Sequence, residues 1–403
     1  MGIGSQDETA FAFDGELRDF VPIAVTNLVL TLVTLGVYRF WATTRERRYF
    51  WSNTRFIDDR LEWTGTGLEL FLGFLIVLVL FFLPLVAIQL VAQALILQGY
   101  GGAAALLFIG FYVVFLGLAG FAIFRGLRYR LSRTEWHGIR GGTDESGLHY
   151  AWSYAWKTIL SFMAMGLLLP WSMTRLWAER WNRMSFGPHN FVSAPEWSSL
   201  MGRFVVAYLA PFILLFGAIF VAAGAVVGAT AGGSEDMAAG AAIIAGIAIL
   251  SVYIIWPLVA QFFYSAYMRE VIGSLSLSTL TFAFTARTKQ WVWLILGNIG
   301  LWLLAIAVAL VPIIALGLFQ SFEALEPGQD PVAQNPVGFA ALMVAFIVPL
   351  AIVGPFIRYR NWRFFLRHLE AGGEINLTQL TQTTTRELKQ GEGLLDAFDM
   401  GAV

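Results

Sequence analysis

The chain has 403 residues, 58% hydrophobic and 13% charged, with 26 Lys and Arg against 27 Asp and Glu. A soluble domain carries about 25% charged residues, so this composition excludes one and makes the bilayer the solvent for most of the chain. Cysteine is absent, which excludes disulfides, thiolate chemistry and Cys-bound metal or iron–sulfur centres, and a net charge of −1 gives no reason to expect a nucleic-acid partner.

The stretch MGIGSQDETAFAFDGELRDF at the start is acidic where a signal peptide needs a basic n-region, so no cleavage is expected. A short apolar run, Phe20 to Tyr38, breaks at Gly36 and passes into TLGVYRFWATTRERRYFW, Thr34 to Trp51, where aromatics are studded with arginine. Trp and Tyr suit the headgroup layer and Arg the cytoplasmic side, so this junction reads as a membrane exit. A span needs about 20 apolar residues. Leu70 to Phe124 carries no charge and is divided by Gln98-Gly99-Tyr100-Gly101-Gly102 into two such helices. A second short run, Thr158 to Thr174, lies between Lys157 and Arg175 and contains Pro170-Trp171, which makes it the counterpart of the first. Phe204 to Ser234 and Met237 to Met268 form another pair of spans. Gln290 to Phe322 and Pro331 to Ile357 form a third, divided by a loop holding Glu323, Glu326 and Asp330. Alternating pieces at Phe11 to Gly15, Leu61 to Gly65, Leu275 to Phe284 and Glu374 to Leu380 read as strands that pair in one small sheet.

The predicted fold is an all-α polytopic membrane protein with three long transmembrane hairpins (six spans), two short apolar helices and short β-strands on the cytoplasmic side. It forms one membrane domain over 1–403. Within it, 1–66 holds the first strand, short helix and Arg/aromatic belt, 67–124 the first hairpin, and 125–203 an Arg-rich region with the second short helix. Then 204–268 is the second hairpin, 269–289 a strand region, 290–357 the third hairpin and 358–403 the tail. Lys and Arg are missing from the three hairpin tips, so the tips are expected to be periplasmic and the Arg-rich loops and C-terminus cytoplasmic. Basic flanks on both sides of Thr158 to Thr174 predict a re-entrant or interfacial helix that enters and leaves on the cytoplasmic side. Phe20 to Tyr38 is read likewise, with a full crossing left open.

The chain also repeats itself. Phe11-Ala12-Phe13 precedes Asn27 at the same spacing as Phe282-Ala283-Phe284 precedes Asn298, and Tyr150-Ala151-Trp152 carries the same theme. Tyr38-Arg39-Phe40-Trp41 is echoed in Tyr359-Arg360-Asn361-Trp362. These echoes suggest a duplicated unit of strand, apolar helix and Arg/aromatic exit. TLGVYRFWATTRERRYFWSNTRF with the later LEWTGTGLELFLGF, RYRLSRTEWHGIRGG (Arg128 to Gly142) and GEGLLDAFDMG (Gly391 to Gly401) together resemble the YjgN-like family of bacterial inner-membrane proteins over almost the whole chain. The sequence departs from that family at Leu168-Leu169-Pro170-Trp171, where the family tends towards a Gly-Leu-Tyr-type turn. The resemblance implies an inner-membrane location and no established reaction.

Arginine is the dominant chemical feature, since only Lys157, Lys289 and Lys389 are lysines. Arg39, Arg45, Arg47, Arg48, Arg125, Arg128, Arg133, Arg360, Arg363 and Arg367 either anchor the topology or bind phosphate-bearing anions, which guanidinium grips bidentately. Asn27, Asn298, Gln89 and Gln93 lie in apolar runs and serve either as interhelical hydrogen-bonding glue or as a polar pathway. His137, His149, His189 and His368 lack metal-ligand spacing, and phosphate loops and nucleophile elbows are missing, so no metal, cofactor or enzymatic role is expected. Two functions stay open. One is transporter, channel or flippase-like handling of an anionic or amphiphilic small molecule. The other is a non-transporting scaffold or envelope-homeostasis protein whose Arg belt binds anionic lipid. Membrane lipids are the expected partners, and a homo-oligomer is left open.

Overall fold

The computed structural model describes residues 10–232, 235–315, 336–373, 381–383 and 385. Among them the chain builds the same unit five times, a strand, a helical hairpin and a returning strand. The first is β1 (Phe11–Phe13), α1 (Leu17–Val33), α2 (Arg39–Ser52) and β2 (Thr54–Phe56). The second runs from β3 (Asp59–Arg60) and β4 (Glu62–Trp63) through α3 (Gly67–Val77), a π-helical turn (Leu78–Phe82), α4 (Leu83–Leu97) and α5 (Gly101–Arg133) to β5 (Thr134–Trp136). The third is β6 (Ile139–Gly142), α6 (Leu148–Met163), α7 (Leu169–Trp181) and β7 (Ser185–Phe186). The fourth is β8 (His189–Ser193), α8 (Met201–Gly232), α9 (Glu235–Gly273) and β9 (Leu275–Leu277). The fifth is β10 (Leu280–Phe284), α10 (Thr288–Ala315), α11 (Pro336–His368) and β11 (Leu369–Gly372).

In every unit the two strands pair antiparallel at the foot of their hairpin, as in Phe13 with Thr54, Trp63 with Thr134, Gly142 with Ser185, Ser193 with Leu275 and Phe284 with Leu369. Tight turns join one unit to the next, so all helical hairpins leave one end of the sheet and all β-turns lie at the other. Strands β4 to β11 form one meander and β1 to β3 another. Only Leu61 separates β3 from β4, and its N–H donates to Thr54 O at 2.9 Å. The two ends come together where β1 packs beside β11 and α1 against α11. The result is a ring of five hairpins on a curled sheet.

At the start of each unit's first helix stands a buried anchor: Phe20, Leu70, Tyr150 and Trp291 within the first turn, and Leu200 in the 3-10 turn that leads into α8. Aromatic stacking fixes the feet of the hairpins, with Phe20 on Phe50 at 5.2 Å and on Tyr359 at 5.5 Å, and Trp51 on Trp362 at 4.6 Å. Such pairs add about 0.5–1.5 kcal/mol each beyond their burial.

Among the described residues five helical stretches are long and apolar enough to cross a membrane, at Gly101–Arg133, Ser198–Gly228, Ala239–Gly273, Thr288–Ile314 and Pro336–His368. The predicted boundaries at 124, 268 and 357 fall inside α5, α9 and α11, because these helices carry on past the apolar run into their basic segments. The mostly helical class holds, but "all-α" understates the eleven strands, in two sheets, found among the described residues. Leu275 to Phe284 is not one strand but the hairpin β9–β10, turning at Ser278 with φ +55°. No Gly or Asn marked that turn. Thr158 to Thr174 is not one helix either: it holds the end of α6, a tip and the start of α7. Phe20 to Tyr38 likewise contains most of α1 and its tip. The equivalence of the two short runs is nonetheless real. Leu35 and Gly36 (φ +50° and +91°) are matched by Met165 and Gly166 (φ +52° and +86°), and the Gly36 and Gly166 N–H groups donate to Thr31 O and Ser161 O, both at 2.7 Å. Left-handed residues at these positions let the helix-ending carbonyls find partners within the tip. The predicted strand Glu374 to Leu380, the motif Gly391 to Gly401 and the loop carrying Glu323, Glu326 and Asp330 lie outside the described residues.

Candidate functional site

The repeat places Asn27, Lys157 and Asn298 at corresponding points, about three turns into the first helix of units one, three and five, facing the second helix. In unit one Arg45 Nη1 donates to Asn27 Oδ1 at 3.2 Å, while Asn27 Nδ2 donates to Ala42 O at 3.2 Å. In unit five Asn298 Nδ2 donates to Asn361 Oδ1 at 2.9 Å, and Arg360 lies against Gly297, whose bare Cα leaves room for the guanidinium. In unit three Lys157 is buried and bonded to Glu179 and, at 2.8 Å, to Ser153 Oγ, while Ser153 donates in turn to Glu179. Sequence reasoning missed this ion pair because Lys157 reads as a flank of an apolar run. Ser153, Lys157 and the fact that α7 returns over α6 were its only signals.

A cleft of about 280 Å³ opens at the seam between units one and five. Ala24, Asn27, Leu28 and Thr31 of α1, Arg39, Ala42, Thr43 and Glu46 of α2, and Leu350, Ala351, Gly354, Pro355 and Arg358 of α11 line it. Glu46 is buried and accepts from Arg358 Nε and Nη2, both at 2.8 Å, which ties the two units across the floor. Arg39 stands exposed at the other end of the α2 wall, one turn past the tip. The cleft is thus polar along α2 and apolar along α11.

The other predicted residues are dispersed. Arg47 stacks over Trp63 at 4.9 Å, and Arg48 donates to Gly65 O at 3.4 Å. Arg125 donates to Ser146 O at 3.3 Å, buried Arg128 to Glu145 O at 3.0 Å, and Arg133 to Glu69 Oε1 at 2.7 Å. Glu69 also accepts from Tyr129 and closes a capping box with Thr66. Arg128 is buried and Arg47, Arg125 and Arg133 are half-buried in contacts that join one element to another, whereas Arg48 is exposed. Arg363 and Arg367 are exposed near the end of α11, and Gln89 and Gln93 are exposed on α4, away from Asn27 and Asn298. Outside the spans, burial pushes the phenols of Tyr49 and Tyr150 up to about 12. Tyr49 donates to Glu16 O at 2.6 Å.

A sequence model of the family described as "Bacterial protein of unknown function (DUF898)" matches residues 8–397. Inner membrane protein YjgN of Salmonella typhimurium (strain LT2) is 27% identical over 158 residues, which cover 39% of this chain and 37% of that one. Inner membrane protein YjgN of Escherichia coli (strain K12) is 25% identical over 157 residues, covering 39% and 36%. The match thus spans little more than a third of those relatives' length. No solved structure matches the chain. The sequence motifs, the long apolar helices and a match running from residue 8 to residue 397 converge: this multi-span membrane protein belongs to the DUF898 family of bacterial proteins of unknown function, to which the inner membrane proteins named YjgN are similar.

Proposed function

We propose that the protein handles an anionic amphiphile, in the manner of a flippase or transporter, by admitting its headgroup to the seam cleft while its chains stay in the bilayer. The observation that carries this reading is the cleft itself, where Arg39, Asn27, Thr31 and Thr43 face an apolar wall of α11. Guanidinium suits a phosphate or carboxylate headgroup, and the apolar wall suits its hydrocarbon. Inward use of Arg128, Arg133 and Arg358 counts against a belt given over to lipid binding.

The membrane arrangement proposed with it has six spans, with α3, the π-turn and α4 together serving as the sixth, and has the sheet in the cytoplasm. Arg39 and Lys157 apart, the basic residues gather towards the sheet end of the helices, in keeping with the positive-inside rule. Hairpins α1–α2 and α6–α7 are re-entrant in this arrangement. A 17-residue α1 rises only about 25 Å, short of the roughly 30 Å hydrocarbon core. Its tip carries Leu35, 94% exposed, and the α6–α7 tip carries Met165, 77% exposed. Water would penalise these side chains, whereas hydrocarbon accepts them, and the tip hydrogen bonds satisfy the backbone there. Two short hairpins among long ones leave lateral gaps in the wall, one of them above the seam cleft.

Native mass spectrometry of protein extracted with its lipids tests the proposal. Wild type retains anionic lipid, Arg39→Ala reduces the retained fraction at least fivefold, and Arg367→Ala, exposed at the foot of α11, leaves it unchanged. Equal loss in both variants, or no anionic lipid in wild type, overturns it.

A further inference from the structure

A second cleft, of about 480 Å³, lies at the foot of the α6–α7 hairpin, lined by Thr174, Arg175, Ala178, Glu179 and Asn182 of α7 and by the turn Ser193 to Trp197. The repeat explains why it exists. The tips Gly36 and Gly166 and the turn-ward strand ends Phe56 and Phe186 bring α2 and α7 into register without a gap, so that Arg48 corresponds to Ala178, Tyr49 to Glu179, and Gly65 to Pro195. In unit one Arg48 crosses this space to the Gly65 carbonyl, and Tyr49 turns away to the Glu16 carbonyl. In unit three the crossing side chain is reduced to a methyl group, and a carboxylate stands where the phenol was. The same position is filled in one repeat and vacated in the other.

What the vacated space presents is charged in a defined way. Glu179 is held by buried Lys157 and by Ser153, so its orientation is fixed from behind while the side chain stays 31% exposed on the cleft side. Since Lys157 neutralises it, the remaining charges are Arg175 on α7 and Glu196 on the turn, of opposite sign. Glu196 is itself positioned, its N–H donating to Glu270 Oε1 at 2.8 Å and its carboxylate accepting from Ser198. Asn182 clamps the turn through Ser193, donating to its carbonyl at 3.1 Å and accepting from its N–H at 2.6 Å. Trp197 forms an aromatic edge.

We infer that this cleft binds the headgroup of a zwitterionic lipid bearing a primary ammonium linked to a phosphate. The ammonium donates to the Glu179 and Glu196 carboxylates beside Trp197, and the phosphate meets Arg175. A primary ammonium has three N–H donors, whereas a trimethylated one has none, so the two carboxylates discriminate between them. The cleft sits where α7 and α8 meet the sheet, the level at which a headgroup would lie if the α8 apolar run is in hydrocarbon.

The test uses the full chain in nanodiscs of phosphatidylethanolamine, phosphatidylcholine or phosphatidylglycerol, followed by native mass spectrometry of retained lipid. Wild type retains phosphatidylethanolamine at least tenfold over phosphatidylcholine. Ala178→Arg, which restores the unit-one arrangement, abolishes that preference. Glu196→Gln, an exposed change that leaves the buried pair intact, reduces it at least threefold. Both variants keep the Arg39-dependent retention of anionic lipid, which separates this site from the seam cleft. Equal retention of the two zwitterionic lipids by wild type, or a preference unmoved in Glu196→Gln, overturns the inference.

Discussion

Removing either partner of the Lys157–Glu179 pair tests how the α6–α7 hairpin is held together, and the two removals are unequal. The Lys157 side chain is 4% exposed and that of Glu179 31%. Glu179→Leu strands an ammonium in the interior with Ser153 Oγ as its remaining partner among the contacts described. Breaking a buried pair in this way costs about 3–5 kcal/mol. Lys157→Met leaves a carboxylate that keeps Ser153 and reaches water, so its cost falls to roughly 1–2 kcal/mol once solvent screening is counted. Methionine also matches the length of the lysine stem. The double variant replaces the pair by apolar groups and lies close to wild type, giving a coupling of about 4–7 kcal/mol in a double-mutant cycle. Unfolding of the purified protein in mixed micelles, titrated with a denaturing detergent, provides the four free energies. Lys157→Met as damaging as Glu179→Leu, or a double variant equal to the sum of the singles, would refute the argument.

Gly36→Ala should destabilise by about 1 kcal/mol. The glycine has φ +91° and nothing within 4 Å of an added methyl, so the cost is backbone strain alone, and Gly110→Ala, in open space within α5, should show no such loss in the same titration. Ser278→Gly should stabilise by about 0.5 kcal/mol, because the exposed serine occupies a left-handed position (φ +55°) at the β9–β10 turn. Alkaline unfolding should begin as pH rises past 10. Tyr49 and Tyr150 titrate at about 12 in the fold against 10.0 unfolded, so their contribution is complete below pH 10 and is lost as pH climbs towards 12. Tyr150→Phe should shift the alkaline midpoint of intrinsic fluorescence upward, and an unmoved midpoint contradicts the assignment.

How much of this was legible depends on which physical signal each element leaves in the sequence. Long apolar runs are set by the solvent, so long apolar helices such as α5 and α10 were readable from the absence of charge between Leu70 and Phe124 or Gln290 and Phe322. The strands were harder. β2, β5 and β7 have two or three residues each, too few for alternation to register, and they are defined by pairing with strands one hairpin away. Asn27 and Asn298 were recognised as corresponding positions, and both face a second helix as that required. Lys157 was not recognised as the third, because the signal for correspondence was residue identity, whereas the fold conserves only a polar side chain at that point. The arginines misled in a different way. Their side of the chain was evident, but whether each points outward or into a joint depends on partners such as Glu69 and the Glu145 carbonyl, which no local pattern reveals.

The location of the seam cleft follows from the way the ring closes. Four of the five unit boundaries are covalent β-turns, so neighbouring hairpins there are held by a continuous ladder at their feet as well as by helix packing. The fifth boundary, between units five and one, lacks that connection: among the described residues no ladder joins β1 to β11. Side chains supply the closure instead. Tyr359 donates to Gly15 O at 2.8 Å, Trp362 to Thr54 Oγ1 at 3.1 Å, and Arg358 reaches Glu46. All three contacts lie at the sheet end of α11, below the cleft. Above them a short hairpin, α1–α2, stands beside a long one, α10–α11. A joint held by side chains and helix packing alone is the one place in such a ring where the wall can part without breaking a strand pair, and it is there that Arg39 and Asn27 face the apolar residues of α11.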